Sequence, residues 1–235
     1  MYGVNKLPWN YETEDIKISL LKNGTGYEYL RDCQGKTANK LIQSDIDEIL
    51  ISPVEPLNLP NQISNFLLVE FFREMMLQPN FNALIYLTFP IEIGVFVGRK
   101  DKHEILDIFT LSRLKYTLYG EPRDGVICKY WQSTVHQQEP DTDPLREGVI
   151  QLNIVNNSHN WVQVNKALFN GNGMKLYYNK QYVSLKATMK ILEEEAAEVE
   201  FHNSPLHRDM KKASELFSTR RLSSSSRKAV MLEGI

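Results

Sequence analysis

Glu92 is the residue whose setting most suggests chemistry. It is the single charged side chain in the apolar run 83–98, among Phe89, Ile91, Ile93, Val95 and Phe96. A carboxylate in such company, if buried, has its charged form disfavoured and can serve as a general base or a ligand. Two other readings are structural. On an alternating strand, Glu92 lies on the face opposite Ile91 and Ile93 and meets solvent. Alternatively it forms a buried ion pair with Arg113, Lys115 or Lys129, because unpaired charges are rarely buried. No second acid stands near it in sequence, so a carboxylate pair for acid–base hydrolysis cannot be assembled locally.

A second cluster interleaves cations and rings: Arg113, Lys115, Tyr116, Tyr119, Arg123, Lys129, Tyr130 and Trp131. Single-stranded nucleic-acid platforms and protein interfaces share this mixture. Two strands with one aromatic face inward and one charged face in water would also produce it. Glu92, Arg113, Lys115, Arg123, Lys129 and Trp131 are therefore the candidate binding residues. Convergence of Glu92, Arg113 and Trp131 in a pocket between two sandwiches would make a small-molecule or carbohydrate binder, hydrolase-like in form.

Other chemistry is not supported by spacing. Histidines 103, 136, 159, 202 and 207 lack metal-ligand spacing, and the two cysteines, Cys33 and Cys128, lie far apart. No nucleophile elbow and no phosphate-cradling glycine loop occurs. The expectation is a protein without metal, cofactor or catalytic residues. Near the C-terminus, Leu206, Met210, Ala213, Leu216 and Phe217 space as a helix stripe over 205–219, capped by Asn203 or Ser204 with Pro205 in the first turn. Four serines, 223–226, then precede an apolar end containing Val230 and Leu232. Leu206, Met210, Phe217, Val230 and Leu232 are the candidate interface residues, for a partner or for the chain's own sheets.

The elements that must position these residues read mostly as strands. Ile16, Ile18 and Leu20 alternate before Asn23-Gly24-Thr25-Gly26 and the returning Tyr27–Leu30 segment, a hairpin pattern. A strand is expected at 46–52, ended by Pro53, Pro56 and Pro60. The segment 63–77 is apolar enough for a strand, although Arg73-Glu74-Met75-Met76-Leu77 has helix propensity. Pro90 should separate two strands. Strand-like pieces follow at 105–111, 115–119 and 126–135, and a surface loop at 137–144. A second hairpin is expected from 148–155 through Asn156-Asn157-Ser158 into 161–165. Between 182 and 201, a helix seam at Leu185, Met189, Leu192, Ala196 and Val199 competes with two strands joined by Glu193-Glu194-Glu195.

Many short strands with turn signals between them predict an all-β, mostly antiparallel protein. We expect one or two β-sandwich units, Ig-like or jelly-roll-like, with a short C-terminal helix and tail. The divisions are 1–111, 112–202 and 203–235. Composition agrees: 235 residues are 42% hydrophobic and 24% charged, enough for a core, and net charge −2 directs the chain to neither nucleic acid nor an anionic membrane. The run 83–98 is too short to span a bilayer as a helix and is interrupted by Pro90, Glu92 and Gly94. The start carries no signal-peptide core, which predicts a cytoplasmic protein with reduced thiols.

Six blocks carry a resemblance: Met1-Tyr2-Gly3, Phe66–Phe71, Tyr86–Val97 around Pro90-Ile91-Glu92-Ile93-Gly94-Val95, Lys115–Gly120, Gly125–Trp131 and Gly173–Tyr178. Together they resemble an archaeal family known as a domain of unknown function, number 432. The resemblance implies a cytoplasmic β protein with no assigned activity, and it favours two strands over a helix at 182–201. It also implies a partner, the small-conductance mechanosensitive channel. The reading is a non-enzymatic interaction or regulatory module that binds a protein partner or its own copies. The alternative is the small-molecule or carbohydrate binder above. No nucleic-acid partner and no direct membrane insertion are expected.

Overall fold

The computed structural model describes residues 1–60, 63–100, 102–113, 115–193, 196–216 and 229–231, the last three by backbone alone. Among them there is no helix, and four sheets account for the architecture. The first sheet orders Gly3–Lys6 (β1), Glu48–Val54 (β6), Glu92–Arg99 (β9) and Lys102–Phe109 (β10), all antiparallel. The second is a meander of Trp9–Glu12 (β2), Ile16–Asn23 (β3), Gly26–Cys33 (β4) and Lys36–Ile42 (β5). The third orders Tyr116–Tyr119 (β11), Val126–Ser133 (β12), Phe66–Leu77 (β7) and Val162–Asn170 (β14). The fourth runs Lys211–Lys212 (β18), Tyr177–Tyr178 (β15), Val183–Glu193 (β16), Glu147–Asn156 (β13) and Asn82–Pro90 (β8). Ala196–His202 (β17) also pairs with β16, and Ala229–Met231 (β19) with β17.

Two pairings are parallel, β12 with β7 and β13 with β16. Parallel neighbours need a crossover, commonly a helix. Between β13 and β16 the crossover is β14, a strand of the third sheet. The strands pack by alternation where one face is wet: Ile16, Ile18 and Leu20 are buried in β3 and Lys17 between them is exposed. Central β16 is buried along nearly its whole length, and its sequence is correspondingly apolar. One contiguous core joins all four sheets, including Ile18 and Tyr29, Ile51 and Val95, Val69 and Phe169, and Leu152 and Leu185. Polar bonds stitch facing sheets together. Tyr29 and Arg31 both donate to Asp107 Oδ2, at 2.9 and 2.6 Å, and join the second sheet to the first. Trp131 Nε1 donates to Thr88 Oγ1 at 3.0 Å, and Thr88 N donates to Ser133 Oγ at 2.8 Å, joining the fourth to the third.

Several expectations hold. The first hairpin is β3–β4, the 63–77 segment is a strand, and 182–201 forms β16 and β17. Pro90 ends β8 in the fourth sheet, and Glu92 begins β9 in the first. Strands β7 and β8, which precede residue 111, lie in the third and fourth sheets beside strands that follow it.

Two expectations are corrected. The expected hairpin across 156–158 does not form, because β13 belongs to the fourth sheet and β14 to the third. A turn motif fixes a reversal, and here the reversal carries the chain between sheets. The expected helix at 205–219 is absent over 205–216, and its last residues lie outside the described ones. Met210, Ala213 and Leu216 are buried as their spacing suggested, but in an extended strap. The strap's amides find partners far away: Ala213 N donates to Leu176 O, Ser214 N to Ser52 Oγ, and Leu216 N to the Glu55 carboxylate. Acceptors far away in the chain replace the i−4 carbonyls that a helix would use.

Candidate functional site

Glu92 and Lys129 form a buried ion pair. Glu92 opens β9 opposite Val54, and its side chain is sealed from solvent. Oε1 accepts from Lys129 Nζ at 2.7 Å and from Leu59 N at 3.2 Å, while Oε2 accepts from Asn58 N at 2.8 Å. Lys129, on β12 of the third sheet, is 1% exposed, so the pair ties the first sheet to the third. The loop after β6 supplies the two amides. It is held by Asn58 Nδ2 donating to Glu55 O at 2.6 Å and by Tyr116 OH donating to Leu59 O at 2.7 Å. Burial, then the Glu92 charge, raises the Tyr116 pKa. The space beside the pair, walled by Leu57, Leu59, Pro60 and Tyr116, holds no water-sized volume. A carboxylate held by three donors, with no opening beside it, has no route for substrate. The ion-pair reading of Glu92 therefore replaces both the solvent-face and the general-base readings. Alternation misled because Glu92, Ile93, Gly94, Val95 and Phe96 are all buried, with both faces of β9 covered.

The other two cations offered for Glu92 lie elsewhere. Arg113 and Lys115 line a groove of about 570 Å³ with Trp131, Tyr130, Gln34 and Arg146. Its walls come from every sheet: the β4–β5 turn, the segment after β10, strand β12 and the start of β13. Arg146 is anchored by Asp15 at 2.5 Å and Asp143 at 3.4 Å. Arg113 and Lys115 make no ion pair among the described residues. Glu147 is the one acid in the lining. Burial, reinforced by a hydrogen bond to Glu70, pushes the Tyr130 phenol up to about 12, so it stays a neutral donor. Three of the six candidate binding residues thus come together: Arg113, Lys115 and Trp131. Arg123 is exposed in the turn between β11 and β12, outside the lining, and Glu92 and Lys129 are sealed inside.

A second groove, of about 820 Å³, carries Tyr2, Tyr11, Tyr178, Asp143, Asp209 and Lys180. Sequence reasoning missed it, since its residues are scattered from β1 to β18. The sequence predicts a surface loop at 137–144, and the structure adds that its Asp143 borders this groove while Arg146, three residues on, borders the other.

The interface candidates fare differently. Met210 is buried, and its sulfur accepts from Ser184 Oγ at 3.2 Å, so it anchors the strap to β16. Leu206 is half-buried. Val230 lies in β19, its backbone paired with Glu198. Phe217 and Leu232 lie outside the described residues. An unanticipated apolar set sits at one end of the third and fourth sheets. Trp161 is 59% exposed and Met76 57%, with Phe81 and Leu192 also exposed. Buried Asn156 gathers their segments: Nδ2 donates to Leu77 O and Asn160 O, its amide to Phe81 O, and Asn157 N donates to Ile191 O. The only signal was apolar residues flanking turn residues.

Cys33 and Cys128 are free and buried, and burial pushes the Cys128 thiol up to about 12. Among the described residues no group of three His, Cys, Asp or Glu gathers as a metal site, and no helix is long and apolar enough to cross a membrane. Compared with known proteins, residues 1–233 match the family described as protein of unknown function (DUF432). No curated protein and no solved structure matches.

Proposed function

This chain belongs to the DUF432 family, and we propose that it is a non-enzymatic β-sandwich interaction module that binds a protein partner through its apolar end. The observation that supports this is the set Trp161, Met76, Phe81 and Leu192, exposed on segments that Asn156 holds together. Large exposed apolar side chains on neighbouring strand ends are a feature of interaction surfaces. Trp is also prominent among residues that dominate binding energy. The Asn156 bonds hold these segments in register, which lowers the ordering cost of association. The partner to try first is the soluble part of a small-conductance mechanosensitive channel, which the family resemblance implies. The alternative is a second copy of this chain.

Two measurements on purified full-length protein test the proposal: light scattering for self-association and biosensor binding to the soluble channel part. Trp161→Glu with Met76→Glu should abolish whichever complex forms and leave the monomer folded. A complex indifferent to both substitutions, or none in either measurement, would overturn the reading.

A further inference from the structure

The groove between the four sheets has a charge pattern that the buried pair and the apolar end do not use. Lys129 spends its charge on Glu92, and Arg146 is held by Asp15 and Asp143. Arg113 and Lys115 have no ion-pair partner among the described residues, yet they line the same cavity. Two unneutralised cations in a concave site raise the local concentration of anions. Trp131 and Tyr130 belong to the same lining, as do Gln34 and Gln132. Trp131 is fixed by its bond to Thr88, so it needs little reordering to meet a ligand. About 570 Å³ lies within the range of small-molecule sites.

We infer that this groove is a binding site for a small organophosphate carrying a flat ring, of the nucleoside monophosphate kind. Arg113 and Lys115 hold the phosphate. The guanidinium offers paired donors and the ammonium a point charge. The ring lies against the Tyr130–Trp131 segment, and the glutamines meet its polar edge. A dianion suits two free cations better than a monocarboxylate does. Glu147 in the lining works against a long polyanion, which would have to run past it, and a compact ligand need not approach it. The site involves none of the apolar-end residues, so it stands or falls independently of the partner reading.

The test is calorimetric titration of the full chain with adenosine monophosphate, with inorganic phosphate and with adenosine. Saturable binding of the monophosphate is expected, at least tenfold tighter than either fragment. Arg113→Ala and Lys115→Ala should each weaken it tenfold or more, and Arg123→Ala, on the exposed turn, should leave it unchanged. The inference is overturned if the monophosphate does not saturate at millimolar concentration, or if Arg113→Ala and Lys115→Ala bind it as the parent does. It is also overturned if affinity grows with oligonucleotide length and single nucleotides bind no better than phosphate, since the surface would then be one for nucleic acid.

Discussion

At the scale of single residues, Glu92 shows how a suggestive side chain can be structural. Its carboxylate is matched by one ammonium and two amides, so removing its charge leaves Lys129 buried without compensation. Breaking a buried pair from one side costs about 3–5 kcal/mol. Glu92→Gln should lower unfolding free energy by about that amount in a denaturant titration and leave both ligand titration and partner binding of the remaining folded protein intact. Replacing the pair together, Glu92→Met with Lys129→Met, should recover only part of the loss, because Asn58 N and Leu59 N would still lack an acceptor. Equal stability of the single and double variants would contradict this view of the joint. The sequence narrowed the partner of Glu92 to three cations. It could not choose among them, because β9 and β12 meet only in the folded sheets, 37 residues apart.

At the scale of elements, the strap over 203–216 is the clearest case of tertiary bonding overriding spacing. Leu206, Met210, Ala213 and Leu216 repeat as a helix would, and three of them are buried, but the acceptors offered by Leu176, Ser52 and Glu55 draw the backbone out. Glu215 clamps the strap between Lys175 at 2.5 Å and Lys212 at 2.7 Å. Burial alone would raise its pKa, but the bonds and charges of the two lysines outweigh that and lower it. A depressed carboxylate contributes stability that is present above its unfolded pKa and fades as pH falls through the folded one. The strap should therefore loosen below the ordinary carboxylate range, giving smaller amide protection factors at Ala213 and Ser214 in acid, once the intrinsic pH dependence of exchange is divided out. Glu215→Gln should show that smaller protection already at neutral pH. Protection factors independent of pH and of the substitution would remove the clamp from the account. Strands such as β3, β8 and β16 were legible because burial on one face, or on both, writes itself into a single segment. The sheet to which β13 and β14 belong was not, since the residues around 156–158 specify a turn and say nothing about which strand lies beyond it.

At the scale of the whole molecule, one core under four sheets leaves two grooves and an exposed apolar end. All three are assembled from distant segments, which is why the sequence showed Arg113, Lys115 and Trp131 as a cluster but not Gln34 or Arg146 beside them. The shared core also sets the pH range of the fold. Burial pushes the Cys128 thiol from 9.0 up to about 12, and burial with the Glu70 bond pushes Tyr130 from 10.0 to about 12. Both folded values are raised, so their contribution is complete below the unfolded values and is lost as pH climbs from about 9 toward 12. Thermal midpoints should fall across that window, and Cys128→Ala should flatten the early part of the fall. A midpoint constant between those limits would contradict the burial of both groups.

The central claim is that the Trp161 end meets a protein partner, and the most direct measurement is site-specific crosslinking in the native cell. A photoreactive residue replaces Trp161 in one sample and exposed Lys17, on the second sheet, in the other. The account predicts one discrete crosslinked species from position 161, lost when Met76 is also changed to Glu, and none from position 17. Equal, diffuse crosslinking from both positions, or none from 161, would contradict it.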